Sequence, residues 1–269
     1  MLIRLFGAIQ RYFGALARLQ EVLLPCIVKA MVHKREKLTA KEEHVLDFFA
    51  HSSIEMLTKR LTKKRVMIAL VGLVGSGKSS VAHELAPEIG AAVIEGDAIR
   101  VFLRKEGERY DKARRIAEDA GLYLLGRGAN VIFDSDHIDP AKRASLKAKA
   151  KEVGAELIFI RTFTDSNDNP QIPGYNLDEM IGRNMIAPPD KFFSKASTSW
   201  EGTAQQKGSV VKLREMIRRI LHHYRWVNET GGRFILRKLP FKIFAEINTI
   251  NPKWEKEVKK MAEKIIEKF

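Results

Sequence analysis

Cysteine is almost missing: Cys26 stands alone in 269 residues. An intramolecular disulfide is therefore excluded, and the chain suits a reducing compartment. Cys26 lies in an apolar run and reads as a small buried hydrophobe. Long uncharged runs are missing too. Within residues 2–31 the longest is seven residues, Val22 to Val28, whereas a membrane-spanning helix needs about 20. No small-residue cleavage site follows a compact apolar region, which argues against a secretory signal. There is no N-K-x-D motif, which argues against a guanine-specific switch. Nor do cysteine, histidine and carboxylate combine at zinc-ligand spacing; His222 and His223 are adjacent and point to different faces, so a surface or packing role fits them better. No internal repeat is evident.

Acidic residues are scarce in two places only. The net charge of +14 divides into +7 for residues 1–65, zero for 66–165 and +7 for 166–269. A neutral centre with basic flanks favours an anionic partner larger than a nucleotide, such as RNA, DNA or an acidic membrane surface. A solvated basic surface is the plain alternative. The first 20 residues contain arginine and no acid, which resembles an organelle transit peptide. An amphipathic helix over residues 2–31 is the preferred reading, because Arg4, Arg11 and Arg18 fall on one face and Leu2, Leu5, Phe6, Ile9, Tyr12, Phe13, Leu16 and Leu19 cover much of the rest. Packing within the protein comes first for that helix, a second subunit or a membrane surface next. Thr39 and Glu42 form a capping box that predicts a second helix from Thr39. Residues 1–62 are thus expected to be a helical N-terminal extension, ahead of a domain spanning 63–269.

From residue 66 the pattern alternates strand and helix, which predicts a parallel sheet with crossover helices. Expected strands are Val66 to Val71, Ala92 to Glu95, Asn130 to Phe133, Leu157 to Arg161 and Lys242 to Ile247. Expected helices are Ser79 to Glu88, ended with the help of Pro87, and Tyr110 to Gly126. A third starts at Asp139-Pro140, and a lysine-rich C-terminal one is capped by Asn251-Pro252. Residues 162–241 fall outside the alternation and read as a lid plus insertion, with a helix from Val210 to Val227. Arg214, Arg218, Arg219 and Arg225 make that helix basic, with Tyr224 and Trp226 among them. Such a face could hold phosphates and stack bases, and an ordinary amphipathic face explains it as well.

The chemistry begins at Gly72-Leu73-Val74-Gly75-Ser76-Gly77-Lys78-Ser79-Ser80, directly after the first strand. This is G-x-x-x-x-G-K-[ST] without a mismatch. Gly72, Gly75 and Gly77 let the backbone turn its N–H groups inward on phosphate oxygens, while Ser76 and Ser80 lie in the same cradle. Lys78 can reach the β- and γ-phosphates, and the Ser79 hydroxyl can ligate Mg²⁺. The helix that follows adds its partial positive charge. Ligands in open α/β sheets bind beyond the carboxyl ends of the strands. Asp134 ends such a strand and is the candidate second Mg²⁺ group, with a cap or turn as the alternative. Asp97 and Arg100, three apart in Glu95-Gly-Asp-Ala-Ile-Arg100, can accept a hydroxyl proton and hold an acceptor phosphate, or simply pair with each other. Asp136, His137 and Asp139 are expected in turn and cap roles.

GLVGSGKSS, GDAIR, EDAGLYLLGRGANVIF and the Asp134 strand end together resemble the adenylylsulfate-kinase group of P-loop kinases, which extends to polynucleotide kinases and zeta-toxin-like kinases. The resemblance covers about residues 66–165, with the last strand as a further element. It implies ATP with Mg²⁺, a hydroxyl acceptor, a sheet ordered 2-3-1-4-5, Asp97 as base or hydroxyl orienter, and Arg100 on the acceptor. Arg183 is its candidate lid arginine. This chain departs from the group in its long lid region, in the Asn248 that precedes Thr249, and in its N-terminal extension, so adenylylsulfate itself is a poor match as acceptor. Two functions follow as expectations. One is a cytoplasmic ATP-dependent kinase, peripheral to a membrane in one version, acting on a nucleic acid or nucleotide-like metabolite and able to self-associate through the N-terminal helices. The other is a P-loop ATPase or nucleotide switch that binds an anionic partner without phosphorylating it.

Overall fold

The computed structural model describes residues 37–55, 60–164, 216–227 and 233–269. The expected helix over residues 2–31, Arg183, Arg214 and most of the 162–241 insertion lie outside the described residues. Residues Ala40–Phe269 form one compact unit.

The six residues of β1 (Val66–Val71) are all fully buried. A strand with neighbours on both edges and helices on both faces has no solvent side, so an unbroken apolar run suits it. Each of these side chains except Ala69 contributes about 1.5–3 kcal/mol by leaving water. β1 lies between β3 (Asn130–Asp134) and β4 (Glu156–Phe163), and the sheet continues outward to β2 (Ala91–Glu95) and β7 (Ala245–Asn248). Every pairing is parallel, in the order β2-β3-β1-β4-β7. This is the expected 2-3-1-4-5 order, because β5 (Tyr224–Val227) and β6 (Arg233–Leu236) form a separate antiparallel hairpin.

Helices cover both faces. On one, α2 (Lys78–Ile89) and α6 (Trp254–Lys268) bury Val81, Leu85, Ile89, Val258, Met261 and Ile265 against β1 and β4. On the other, α4 (Ala113–Gly126) crosses β3 with Gly121 at the contact. A Cβ there would come within 2.3 Å of Phe133 Cζ, so the close approach needs glycine. Ahead of α4 lies α3 (Gly96–Lys105), and α5 (Pro140–Glu152) links β3 to β4. Asn130 ties the lower edge together: its Oδ1 accepts from Val66 N at 2.8 Å, and its Nδ2 donates to Ile89 O at 2.9 Å.

The helix α1 (Ala40–Glu55) begins one residue after Thr39. It packs on α3 and α4 through Phe48 and Phe49 against Phe102 and through a 3.1 Å ion pair between buried Glu42 and half-buried Lys112.

Several boundaries differ from expectation for local reasons. Pro87 lies inside α2, which continues to Ile89 because Ala86 and Ile89 are core residues, and closes on Gly90. α4 begins at Ala113 rather than Tyr110. α6 begins at Trp254; Asn251 fixes its start from outside, accepting from Lys253 N at 3.0 Å and donating to Glu257 Oε1 at 2.7 Å. The Val210 to Val227 helix is corrected most. Residues 216–223 are helical, but Tyr224 to Val227 form β5. Pairing with β6 and burial of Tyr224 on Leu73 override the helical pattern, so Tyr224 is unavailable for base stacking.

Candidate active site

The glycine loop joins β1 to α2 at the carboxyl edge of the sheet. Gly77 has φ 78, and a Cβ on it would lie 2.7 Å from the Thr249 methyl, so this turn is closed to other residues on two counts. Ser76 is buried. Its Oγ shares a hydrogen bond with Thr162 Oγ1 at 2.7 Å, and its carbonyl accepts from Thr249 Oγ1 at 3.2 Å. β4 and the residue after β7 thereby wall the loop. Lys78 Nζ donates to Gly72 O at 2.9 Å and Leu73 O at 3.0 Å, so the ammonium lies in the curve of the loop itself. Ser80 is exposed in the first turn of α2, a turn without acidic residues. That leaves the positive end of the helix free for an anion.

Two carboxylates end neighbouring strands in register, Glu95 on β2 and Asp134 on β3. Asp134 is buried and hydrogen-bonded to the Ser79 side chain, with Lys78 near. Burial raises its pKa more than Ser79 and Lys78 lower it, and Asp97 adds to the rise. Glu95 is likewise raised, first by burial, with its His83 partner at 2.9 Å opposing and Asp134 reinforcing. A divalent cation beside Asp134 and Ser79 would relieve both groups. The donor set suits Mg²⁺, which takes one or two protein oxygens and completes its shell with water and phosphate oxygens. Among the described residues no three His, Cys, Asp or Glu side chains converge as a self-sufficient metal site.

Beside this edge lies a cavity of about 70 Å³ between α3, α4 and β3. Arg100, Arg114, Lys142, Glu118, Ser135 and His137 supply its polar groups, and Ile94 and Phe133 part of its apolar wall. Arg100 forms an ion pair with Asp97 in the first turn of α3. Lys142 has its pKa lowered, first by burial and then by repulsion from Arg219, Arg100 and Arg114, with Asp136 opposing. Arg114 is itself paired with the buried Glu118 carboxylate at 2.9 Å, so the cavity sets three cations beside one carboxylate and keeps a net positive charge, which favours an anion.

Asp136, assigned only a turn role from sequence, does more. Its Oδ1 accepts from Ile138 N at 3.2 Å, which is the turn, and also from Gly72 N at 3.3 Å in the glycine loop. Its Oδ2 accepts from His223 Nε2 at 3.1 Å and lies 3.6 Å from Arg219 Nη1. Burial opposes its charge, but the His223 hydrogen bond, Lys78 and the Gly72 N–H outweigh that and hold the carboxyl below its ordinary range. His223 is buried and its pKa is lowered, chiefly by that burial against the pull of Asp136. Its proton lies on Nε2, since Nδ1 has no hydrogen-bond partner among the described residues. His222 is exposed. Asp139 is the cap expected of it, accepting from Lys142 N at 3.0 Å.

The structure thus brings together Lys78, Ser79, Asp134, Asp97 and Arg100, and adds Glu95, His83, Arg114, Lys142, Asp136, His223 and Thr249. Only Thr249 lay in a stretch singled out by the resemblance. Arg114 and Lys142 carry no local signal, and Asp136 and His223 meet across 87 residues.

Residues 67–167 match a protein family described as AAA domain. An adenylyl-sulfate kinase of Prochlorococcus marinus is 29% identical over 140 residues, covering 48% of this chain and 67% of that protein. An uncharacterized protein of Mycobacterium tuberculosis is 30% identical over 154 residues, covering 50% of this chain. The chain spans only 30% of the length of the first curated relatives it matches. Among solved structures, the Mycobacterium tuberculosis APS kinase in complex with AMPPNP and APS aligns with a TM-score of 0.42 and 16% identity, over 76% of this chain and 96% of that one. A gluconokinase from Sinorhizobium meliloti aligns with a TM-score of 0.41 and 16% identity, over 75% and 94%. The adenylyl-sulfate kinase match agrees with the resemblance to P-loop kinases, and the glycine loop with the parallel order β2-β3-β1-β4-β7 gives the chain a P-loop fold.

Proposed function

We propose that this protein transfers the γ-phosphoryl group of ATP to a hydroxyl of an acceptor that carries an anionic group. The observation that carries the reading is the contiguity of two half-sites: Lys78, Ser79 and Asp134 on one side, Asp97, Arg100 and the Arg114–Lys142 cavity on the other. The glycine loop and the start of α2 hold the triphosphate. Lys78 exchanges its two loop carbonyls for β- and γ-phosphate oxygens. Ser79 and Asp134 would hold Mg²⁺, which when bound neutralises charge on the β- and γ-oxygens. The acceptor's anionic group enters the cavity, with Arg100, Arg114 and Lys142 as its counter-charges, and its hydroxyl lies against Asp97. The hydroxyl oxygen forms the new bond to phosphorus as the bond to the β–γ bridging oxygen breaks. ADP leaves, and the hydroxyl proton passes to the Asp97 carboxylate. Catalysis is then positioning and charge stabilisation.

The finer parts of the reading are proposals of the same kind. Residues 1–62 are an extension ahead of a kinase domain at 63–269, Arg183 is the lid arginine, and the basic flanks bind an anionic partner in a cytoplasmic setting, where phosphate-bearing acceptors, nucleic acid included, fit the cavity best. The test is incubation with γ-labelled ATP and Mg²⁺ against separate pools of RNA, DNA, metabolites and lipid extract. Label entering one pool, and lost in Asp97→Asn and Arg114→Ala, is the expected result. Hydrolysis without a labelled acceptor, unchanged in Asp97→Asn, would refute transfer and leave a nucleotide switch.

A further inference from the structure

Asp136 and His223 take part in no step above, yet they form a buried polar link between the glycine loop and the insertion. Three contacts converge there. The Asp136 carboxylate holds Gly72 N with one oxygen and His223 Nε2 with the other, at 3.3 and 3.1 Å. Arg161, buried in β4, donates to His223 O at 3.0 Å and to Arg237 O at 3.1 Å, which fixes the end of the helical segment 216–223 and the exit from β6. Met216, Ile220 and Tyr224 pack on Leu73, the next residue of the loop, with Phe234 and Leu236 beside them. The first residue of the loop is therefore held from two directions, by the Lys78 ammonium on its carbonyl and by Asp136 on its N–H.

These two holds respond differently to nucleotide. When Lys78 turns to phosphate oxygens it releases Gly72 O and Leu73 O, and the hold through Asp136 remains. We infer that Asp136 and His223 are positioning residues for ATP: through them residues 216–227 and 233–236 keep the first turn of the glycine loop in its phosphate-receiving shape. The inference rests on the kinase reading for what the loop binds, but its consequences appear in binding alone. A loop left to sample other shapes must be ordered by the ligand, and that cost appears as lost affinity rather than as a slower chemical step. A purely structural role would lower stability with no selective effect on nucleotide.

The experiment compares the parent with His223→Ala, His223→Gln and Leu146→Ala. Glutamine keeps an N–H donor for Asp136, and Leu146 is a fully buried residue of α5 outside the site. ATP affinity is measured by calorimetry without any acceptor, amide exchange is followed over residues 70–78, and thermal midpoints are recorded for all four. His223→Ala is expected to weaken ATP about ten-fold, the loss of one buried hydrogen bond to a charged group, and to speed exchange in the loop. His223→Gln should recover affinity to within about three-fold of the parent, and Leu146→Ala should lower the midpoint without moving affinity. Once an acceptor is known, KM for ATP should rise in His223→Ala with kcat within about two-fold. Parent-like affinity and exchange in His223→Ala, or no recovery in His223→Gln, would overturn the inference. Should His223→Ala not fold, His223→Asn, whose donor is too short to reach Asp136, takes its place. A parent that binds ATP but phosphorylates nothing would sink the proposed function and leave this inference to be judged on the binding data.

Discussion

Replacing Gly121 by alanine in α4 sets two effects of known sign against each other. Alanine raises helix propensity, which alone would stabilise by about 1 kcal/mol. The new methyl carbon, however, would lie 2.3 Å from Phe133 Cζ and 2.8 Å from Cε1. Carbon atoms rest at about 3.5–4.0 Å, so the ring or the helix must move by more than an ångström. Phe133 is only 2% exposed, in the middle of the core beneath α4. Overpacking of this kind costs about 1–3 kcal/mol, and the larger overlap here puts it at the upper end. The net expectation is destabilisation of about 1–2 kcal/mol, read as a lower urea midpoint with unchanged slope. Phe133→Leu removes the ring atoms at the overlap, so Gly121→Ala in that background should be milder by about 1 kcal/mol than in the parent. The ring also walls the cation-lined cavity, and its tilt would narrow the cavity while leaving ATP affinity alone. A higher midpoint for Gly121→Ala, or strictly additive effects in the double variant, would refute the close-packing argument.

Three further outcomes follow from single contacts. Burial lowers the His137 pKa to about 4 while its ring nitrogen donates to Leu70 O at 3.0 Å; the unfolded chain takes up that proton first, so stability is present at neutral pH, declines as pH falls below about 6.5 and levels off near 4, a loss of about 3 kcal/mol. Thermal midpoints across that range should fall less steeply in His137→Asn, and parallel curves would count against the assignment. Glu42→Ala removes the buried carboxylate that pairs with half-buried Lys112 and should cost about 1–2 kcal/mol in a denaturation curve; Glu42→Gln with Lys112→Met should restore much of it. Lys78→Ala should weaken ATP by at least about a hundred-fold in titration calorimetry, since the β- and γ-phosphates lose their cation.

What could be read from sequence was local. β1, the glycine loop and the start of α2 depend on neighbours within a few residues, and so does Asp139, whose side chain caps the helix three residues on. The sheet order followed from the resemblance. The hairpin was missed because Tyr224 to Val227 carries a helix-compatible pattern until its partner Arg233–Leu236 is known. Asp136 looked like one turn residue among four acids and histidines after β3; its second oxygen meets a histidine from the insertion, and no local pattern records that. Arg114 and Lys142 are surface-like letters on two helices that converge only when α4 and α5 pack beside β3. Asn251 misplaced a helix start by a few residues because a side-chain staple sets it, and the end expected at Glu88 near Pro87 moves by one residue to Ile89, where core packing sets it.

The wall that Thr249 builds against Ser76 and Gly77 also bears on the order of events during synthesis. Those partners are 173 positions apart, so a ribosome exposes the glycine loop long before the residue that completes it. Until β7 emerges and joins the sheet, the nascent polypeptide carries an open-sided loop with no finished ligand pocket. Competence for nucleotide therefore waits on β7 and Thr249 rather than on the loop itself. Ribosome-bound chains halted before Ala245 should fail to retain ATP on a filter, and chains extended through Phe269 beyond the exit tunnel should retain it.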